Sequence, residues 1–461
     1  MRRDAWVPVA GIPDRRVVFC EGSHDLRTGL SSLFTGSMVL WGLLWLAIDT
    51  GPWNLSRVTG WVGILDALRA TFPLCTLVIV LLWGALHLQK PRIPTLAEGG
   101  FWVYGFLMLL MTVRTTHWFT WGYWGFAFLA VLAVTQVALS GPDPLGAARR
   151  LNWGSWLLAT LVLAVLLVYA RNHLFVGSSL SAYGIVNRAG PFLGAAISRS
   201  SGLSRLAAVP GILGLLYLIK GRGWIRLVAA VVSLLAIGII WVMQSRGSLF
   251  SFLGAFSFLL LFGGRKARRW GIFLGIATLV SILFDLGLGG RLLLGIWEHA
   301  TRDTGLQGFQ TMSGRPRIWR HAFRYIARSP WLGYGPQADR RLGIGDAQNL
   351  VVYGLLATGI VGTSALLVGF GAAGYAFFRI LGKRQWLPPK DQILVIATGA
   401  ILVFLALRSI PEDGASYFSI DLLLQMPAMA YLAIVSRKLG NRPAGSRPET
   451  PPPWINRRRL A

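Results

Sequence analysis

Arginine is the residue type in this chain best placed to do chemistry. The segment Ser313-Gly-Arg-Pro-Arg-Ile-Trp-Arg-His-Ala-Phe-Arg-Tyr-Ile-Ala-Arg328 carries Arg315, Arg317, Arg320, Arg324 and Arg328. A guanidinium stays charged at any relevant pH and donates in a planar fork that matches phosphate oxygens in pairs. Three other segments set arginine beside small or turn-forming neighbours: Arg199-Ser-Ser-Gly-Leu-Ser-Arg205, Gln244-Ser-Arg-Gly-Ser248 with Arg246, and Leu407-Arg-Ser-Ile-Pro-Glu-Asp413 with Arg408 and Glu412. Gathered around one hollow, Arg199, Arg205, Arg246, Arg315 and Arg408 could hold a diphosphate. Asp346 and Glu412 are the acids nearest to these segments. Taken one at a time the signals are weaker, because a lone arginine at a turn is most often an interface anchor. A basic helix that only touches lipid headgroups also accounts for the periodicity of 315–328.

Other chemistries leave no trace. There is no Walker loop, zinc-type His/Cys cluster or nucleophile elbow. His24, His87, His117, His173, His299 and His321 are scattered, and no pair has metal-ligand spacing on one helix, so no metal and no cofactor are expected. Cys20 and Cys75 lie in different kinds of segment, and no bridge between them is expected. Charged residues are nearly missing from the middle of the apolar runs, which counts against an ion-coupled transporter.

The elements that must position these arginines are membrane helices. Of 461 residues, 54% are hydrophobic and only 14% are charged, against about a quarter charged in soluble chains. Apolar runs near the roughly 20 residues needed to cross the hydrocarbon fall at about 30–48, 71–89, 99–113, 117–140, 154–171, 206–219, 225–243, 248–263, 270–288, 349–380, 392–410 and 419–436. The expectation is an all-α polytopic membrane protein of about twelve spans. Residues 1–29 form a cytoplasmic arm with no signal peptide, 30–436 the membrane domain, and 437–461 a disordered Pro- and Arg-rich tail.

Charge orients the helices. All six lysines (90, 220, 266, 383, 390 and 438) fall on one side once the spans are threaded. The positive-inside rule makes that side cytoplasmic, with both termini. The outer segments then carry arginine alone. The two largest, about 171–205 and 289–348, are expected to face the periplasm; the second holds nine arginines against Glu298, Asp303, Asp339 and Asp346. The net charge of +27 is spread over many short loops rather than one stripe, which argues against nucleic acid and for membrane lipids and phosphate-bearing substrates as partners. Within 289–348, Ser313 and Pro316 open a helix and Pro330 ends it. Ile318, Trp319, Ala322, Phe323 and Ile326 share one face, so this amphipathic helix is expected to lie flat with that face in the membrane.

These motifs, in this order, resemble the bacterial O-antigen ligase/polymerase superfamily, most strongly over about 199–421. The family pattern is matched by Ser245-Arg246-Gly247, by Ser313-Gly-Arg-x-x-Ile-Trp319, by the exit Pro330-x-x-Gly-x-Gly335, by Asn349 leading into a span ending Gly359-Ile-Val-Gly362, and by Arg408-Ser409 with Glu412. The resemblance implies a GT-C-like fold and a glycosyltransferase acting on the outer face of the inner membrane. It implies transfer of a glycan from a polyprenyl-diphosphate donor to a second glycan or a lipid A-core acceptor, without a metal. It also implies a histidine beside Asn349 as base, and here that position is Gln348. Glutamine cannot take a proton at neutral pH. Asp346 or Glu412 does that work, or the base is dispensable, or the activity has changed. A flippase of lipid-linked oligosaccharides and a non-catalytic family member stand as alternatives.

Overall fold

In lipid a backbone must satisfy its own hydrogen bonds, so long apolar runs become helices. The computed structural model describes residues 36–48, 50–56, 60–87, 92–170, 200–243, 245–287, 294–295 and 315–440. Among them are helices and no strand. The apolar helices are α1 (Gly36–Leu46), α2 (Gly60–His87), α3 (Leu96–Leu110), α4 (Trp118–Leu139), α5 (Pro144–Ala170), α6 (Ser200–Lys220), α7 (Trp224–Val242), α8 (Arg246–Phe262), α9 (Arg265–Gly287), α11 (Leu350–Gly382), α12 (Pro389–Arg408) and α13 (Ile420–Gly440). Between α9 and α11 lies the polar helix α10 (Arg315–Arg328). Ten of the apolar helices are long and apolar enough to cross a membrane; α1 and α8 are shorter.

Several expected boundaries move. α2 starts at Gly60, so Arg69 is a helix residue paired with Asp66 at 2.7 Å. α5 starts at Pro144, which places Arg149 and Arg150 on the helix. α6 starts at Ser200 and takes Arg205 with it, and α13 runs on to Gly440. In each case charged residues are carried on an apolar helix, and α2 runs through Pro73. The N-terminal arm, Cys20, Arg199, most of 171–205 and the first part of the 289–348 segment lie outside the described residues.

α4, α6 and α13 form the centre, and α2, α7 and α9 lie at the periphery with large apolar side chains exposed. α6 packs on α7, α8 on α12, α3 on α11, and α5 on α13. Hydrogen bonds between distant segments tie one set of helix ends together: Lys383 Nζ donates to the Leu439 carbonyl (3.4 Å) and Arg384 Nη1 to that of Phe262 (2.9 Å). Lys220 ends α6, Lys266 begins α9, Lys390 begins α12 and Lys438 ends α13. The described lysines therefore share one end of the bundle, and the arginine segments lie at the other.

α11 is broken. Gly359 has φ +63° and ψ −164°, a conformation that L side chains rarely adopt. The Pro330–Gly335 turn crosses the helix there. Ile360 N donates to the Pro330 carbonyl (2.7 Å), Tyr334 N to Leu356 (2.7 Å) and Gly335 N to Ala357 (2.8 Å). Orphaned backbone groups in a membrane helix must find partners in the protein, and here the loop supplies them. Gly333, at φ +65°, also has no room for a side chain: a Cβ there would lie 2.6 Å from the Leu356 carbonyl oxygen.

The expectation for α10 needs correcting. Its inner face does not lie in lipid. Ala322 and Ile326 are buried with Ile318, Trp319 and Tyr325 against Val352, Tyr353, Leu356 and Ala357 of α11. Phe323 remains exposed. A protein surface of matching apolar residues was available beside the helix, and periodicity alone cannot tell that surface from a bilayer.

Candidate active site

The site is built from helix ends. Asn349 caps α11 by accepting from the N–H groups of Val351 (2.9 Å) and Val352 (3.0 Å). Its amide donates to the Ile410 carbonyl (2.8 Å), and Leu350 N donates to that of Ser409 (3.1 Å). The start of α11 is thereby fastened to the end of α12. Just before the cap, Gln348 sits at φ +46°. Its Oε1 accepts from Arg315 Nε at 2.8 Å, so the first residue of α10 and the position of the family histidine meet. Trp319 Nε1 donates to the Ala347 carbonyl (2.8 Å) and holds α10 in that register.

Beside this pair is a cluster of carboxylates. Oxygens of Asp339, Asp346 and Asp413 lie within 4.8 Å of one another, with Asp339 and Asp413 buried. Asp339 accepts from Arg340 N (2.9 Å) and Ala347 N (3.0 Å) and so organises the loop. Burial pushes its carboxyl above the ordinary range, against those two N–H groups. Burial, then the charges of Asp346, Asp339 and Glu412, holds Asp413 well above the carboxylate range. Burial works against the charge on Arg340, but Asp346, Tyr417, Asp339 and Asp413 together hold it above its ordinary value. Three carboxylates this close repel, and a proton or a hard divalent cation would relieve them. These are the described residues that could hold a metal.

Arg205 and Arg408 are placed differently from the exposed clamp expected of them. Arg408 is 2% exposed and Arg205 6%. Asp421 lies between them, 2.7 Å from Arg408 Nη1 and 3.3 Å from Arg205 Nη1. The second contact is within ion-pair range but off hydrogen-bonding geometry, since Asp421 Oδ1 and both Nε atoms lack hydrogen-bond partners. Glu412 lies 3.7 Å from Arg408 Nη2, and Arg408 also reaches the Ser201 carbonyl (3.5 Å). This triad joins α6, α12 and α13. Arg246 begins α8 and is half-buried; a Cβ on the adjacent Gly247 would lie 2.9 Å from Pro411 of the same turn that carries Glu412 and Asp413.

The structure thus brings Gln348, Asp346, Arg315, Arg246, Arg205, Arg408 and Glu412 to one end of the bundle, from six different elements. It divides them into a Gln348–Arg315–carboxylate group and a buried Arg205–Asp421–Arg408 group. Sequence reasoning missed Asp339, Asp413 and Asp421 as partners. Asp413 adjoins Glu412, and Asp421 opens a span, where an acid needs a counter-charge; that was the available signal.

Residues 230–367 match the O-antigen ligase family. The match supports membership of the O-antigen ligase/polymerase superfamily. It begins in α7, ends just beyond the break in α11, and includes Arg246, Arg315, Asp346 and Gln348. No curated protein matches the chain at a significant level. Over that stretch the similarity supports glycan transfer of the ligase/polymerase type in general.

Proposed function

We propose that the chain transfers a glycan from a polyprenyl-diphosphate donor to a glycan or lipid A-core acceptor, at the lysine-free end of the bundle. The positive-inside rule assigns that end to the periplasm of a bacterial inner membrane. The observation that carries the reading is the meeting of Arg315 with Gln348, beside the carboxylate cluster and inside the matched stretch.

The donor supplies its own energy through its leaving group. The acceptor hydroxyl oxygen attacks the anomeric carbon, and the carbon–oxygen bond to the diphosphate breaks. The electron pair stays on the diphosphate, and the hydroxyl proton passes to a carboxylate. Arg315 and Arg246 face the charge that grows on the leaving group; donors of this kind contribute roughly 3–4 kcal/mol each to the barrier. α10 adds its N-terminal dipole beside Arg315. Arg205 and Arg408 act through Asp421 as positioning residues that hold α6, α12 and α13 together. Gln348 cannot serve as base. Asp413, whose affinity for a proton is raised by burial and then by neighbouring carboxylates, and Asp346 beside it are the groups placed for that role.

Deletion of the gene followed by glycan profiling tests the reading. Accumulated single repeat units indicate a polymerase, and accumulated lipid-linked long chains a ligase. Precursors trapped on the cytoplasmic face indicate a flippase and would overturn the transferase. Complementation by Arg315→Lys, which keeps charge but loses the fork, is expected to fail.

A further inference from the structure

At the lysine-bearing end, far from the carboxylate cluster, the peripheral helices enclose a cavity of about 340 Å³. Leu215, Leu218 and Ile219 of α6, Phe256 and Leu260 of α8 and Leu274 of α9 give it an apolar wall, and Arg226 and Trp270 complete its lining. A second hollow of about 300 Å³ shares Trp270 and is lined by Lys266, Arg269 and Phe273. Trp270 is 48% exposed, as an interfacial tryptophan with one wet and one apolar side should be.

The rim is positive throughout. Lys220 Nζ lies against Gly264, where a Cβ would sit 3.2 Å away. Arg384 donates to the carbonyl of Phe262, two residues before Gly264, and Arg226 Nε donates to the Leu218 carbonyl at 3.0 Å. Lys266 and Arg269 are exposed on the first turn of α9. No carboxylate among the described residues makes an ion pair with Lys220, Arg226, Lys266, Arg269 or Arg384. Among the described residues at this end, Asp391 pairs with Arg149 and Glu98 with Arg92. Like charges gathered at a helix turn repel unless an anion joins them, and an apolar cavity lies beside them.

We infer that this groove is a binding site for an anionic phospholipid, with an acyl chain between α6, α8 and α9 and the phosphate between Lys220, Arg226, Lys266 and Arg269. An apolar chain fits the wall, and a monoanionic headgroup fits a rim with surplus positive charge. A zwitterionic lipid offers no net charge to it. The inference concerns the leaflet opposite the proposed transfer site and does not depend on that activity.

Full-length protein purified in detergent and titrated with phosphatidylglycerol or phosphatidylcholine, read by native mass spectrometry, tests the assignment. Phosphatidylglycerol is expected to be retained in preference to phosphatidylcholine. The double variant Lys266→Gln/Arg269→Gln, at exposed positions, is expected to weaken phosphatidylglycerol binding roughly 30-fold, from two interfacial basic residues. Leu260→Trp, which fills the cavity and leaves the rim, is expected to reduce retention of the same lipid. A photo-crosslinking residue at Leu274 is expected to capture a lipid mass. Equal retention of both lipids, unchanged binding in both variants, or a crosslink to a second copy of the chain would each overturn the assignment. Size exclusion and far-UV helicity identify a variant that has not folded; the crosslink in the otherwise unaltered chain then decides.

Discussion

Replacing Asp421 by asparagine removes the single acid between two buried guanidinium groups. The separations to Arg408 and Arg205 are 2.7 and 3.3 Å. At an effective dielectric of about 20 these correspond to gross attractions of about 6 and about 5 kcal/mol. Most of that offsets the cost of taking three charges out of water. What a substitution exposes is the two unpaired cations it leaves behind, and breaking a buried pair typically costs ~3–5 kcal/mol. Glu412 is the remaining counter-charge, at 3.7 Å from Arg408 and partly exposed, so it recovers little. Asp421→Asn is therefore expected to lower stability by about 3–5 kcal/mol, measured by SDS titration in mixed micelles with tryptophan fluorescence. Adding Arg205→Met, which removes one orphaned cation, is expected to recover part of the loss. The cycle reports the coupling directly. A cost for Asp421→Asn below about 1 kcal/mol, the scale of an exposed pair, would show that the triad does not join α6, α12 and α13.

Five further outcomes are expected. Arg315→Lys and Arg246→Lys should each reduce glycan assembly on the order of 100-fold, read by glycan profiling, with protein levels unchanged; normal assembly in both would refute the clamp. Gln348→His should keep the contact to Arg315 while the imidazole is neutral, so its activity should rise through about pH 6.5, and a profile identical to that of the parent would place position 348 away from the reacting atoms. Gly359→Ala should cost about 1–3 kcal/mol from backbone strain alone, with a collision against the Trp331 backbone in addition, seen as a lower Tm; an unchanged Tm would mean the break is not held by the Pro330–Gly335 turn. The raised Asp413 carboxyl contributes stability that is present below its unfolded pKa and lost as pH rises through its higher folded value, so stability should fall with rising pH, and Asp413→Asn should flatten that slope. A slope that survives the substitution would show that other groups cause it. Activity in excess chelator is expected to persist under a guanidinium clamp, and a loss restored by a divalent cation would instead give Asp339, Asp346 and Asp413 to a metal.

Residue composition alone shows that the chain lives in lipid, because 54% hydrophobic content with 14% charge leaves no other solvent for apolar runs of that length. The sequence also shows which helix ends share a side, since all six lysines fall on one side and a helix has only two ends. The helix at 315–328 and its start and stop were legible for a local reason: Pro316 and Pro330 constrain the backbone wherever the segment goes. What that helix touches was not legible, because an apolar stripe is satisfied equally by a bilayer and by Tyr353 and Leu356. The same holds for the arginines. Arg205, Arg315 and Arg408 look alike in the sequence, and only the packing of α13 puts Asp421 between two of them while Gln348 meets the third. Asp339 and Asp346 are seven residues apart, but Asp413 is distant along the chain. Their approach exists only once the cap at Asn349 fastens α11 to the end of α12, since charge interactions depend on separation in space and the chain path alone does not set that separation.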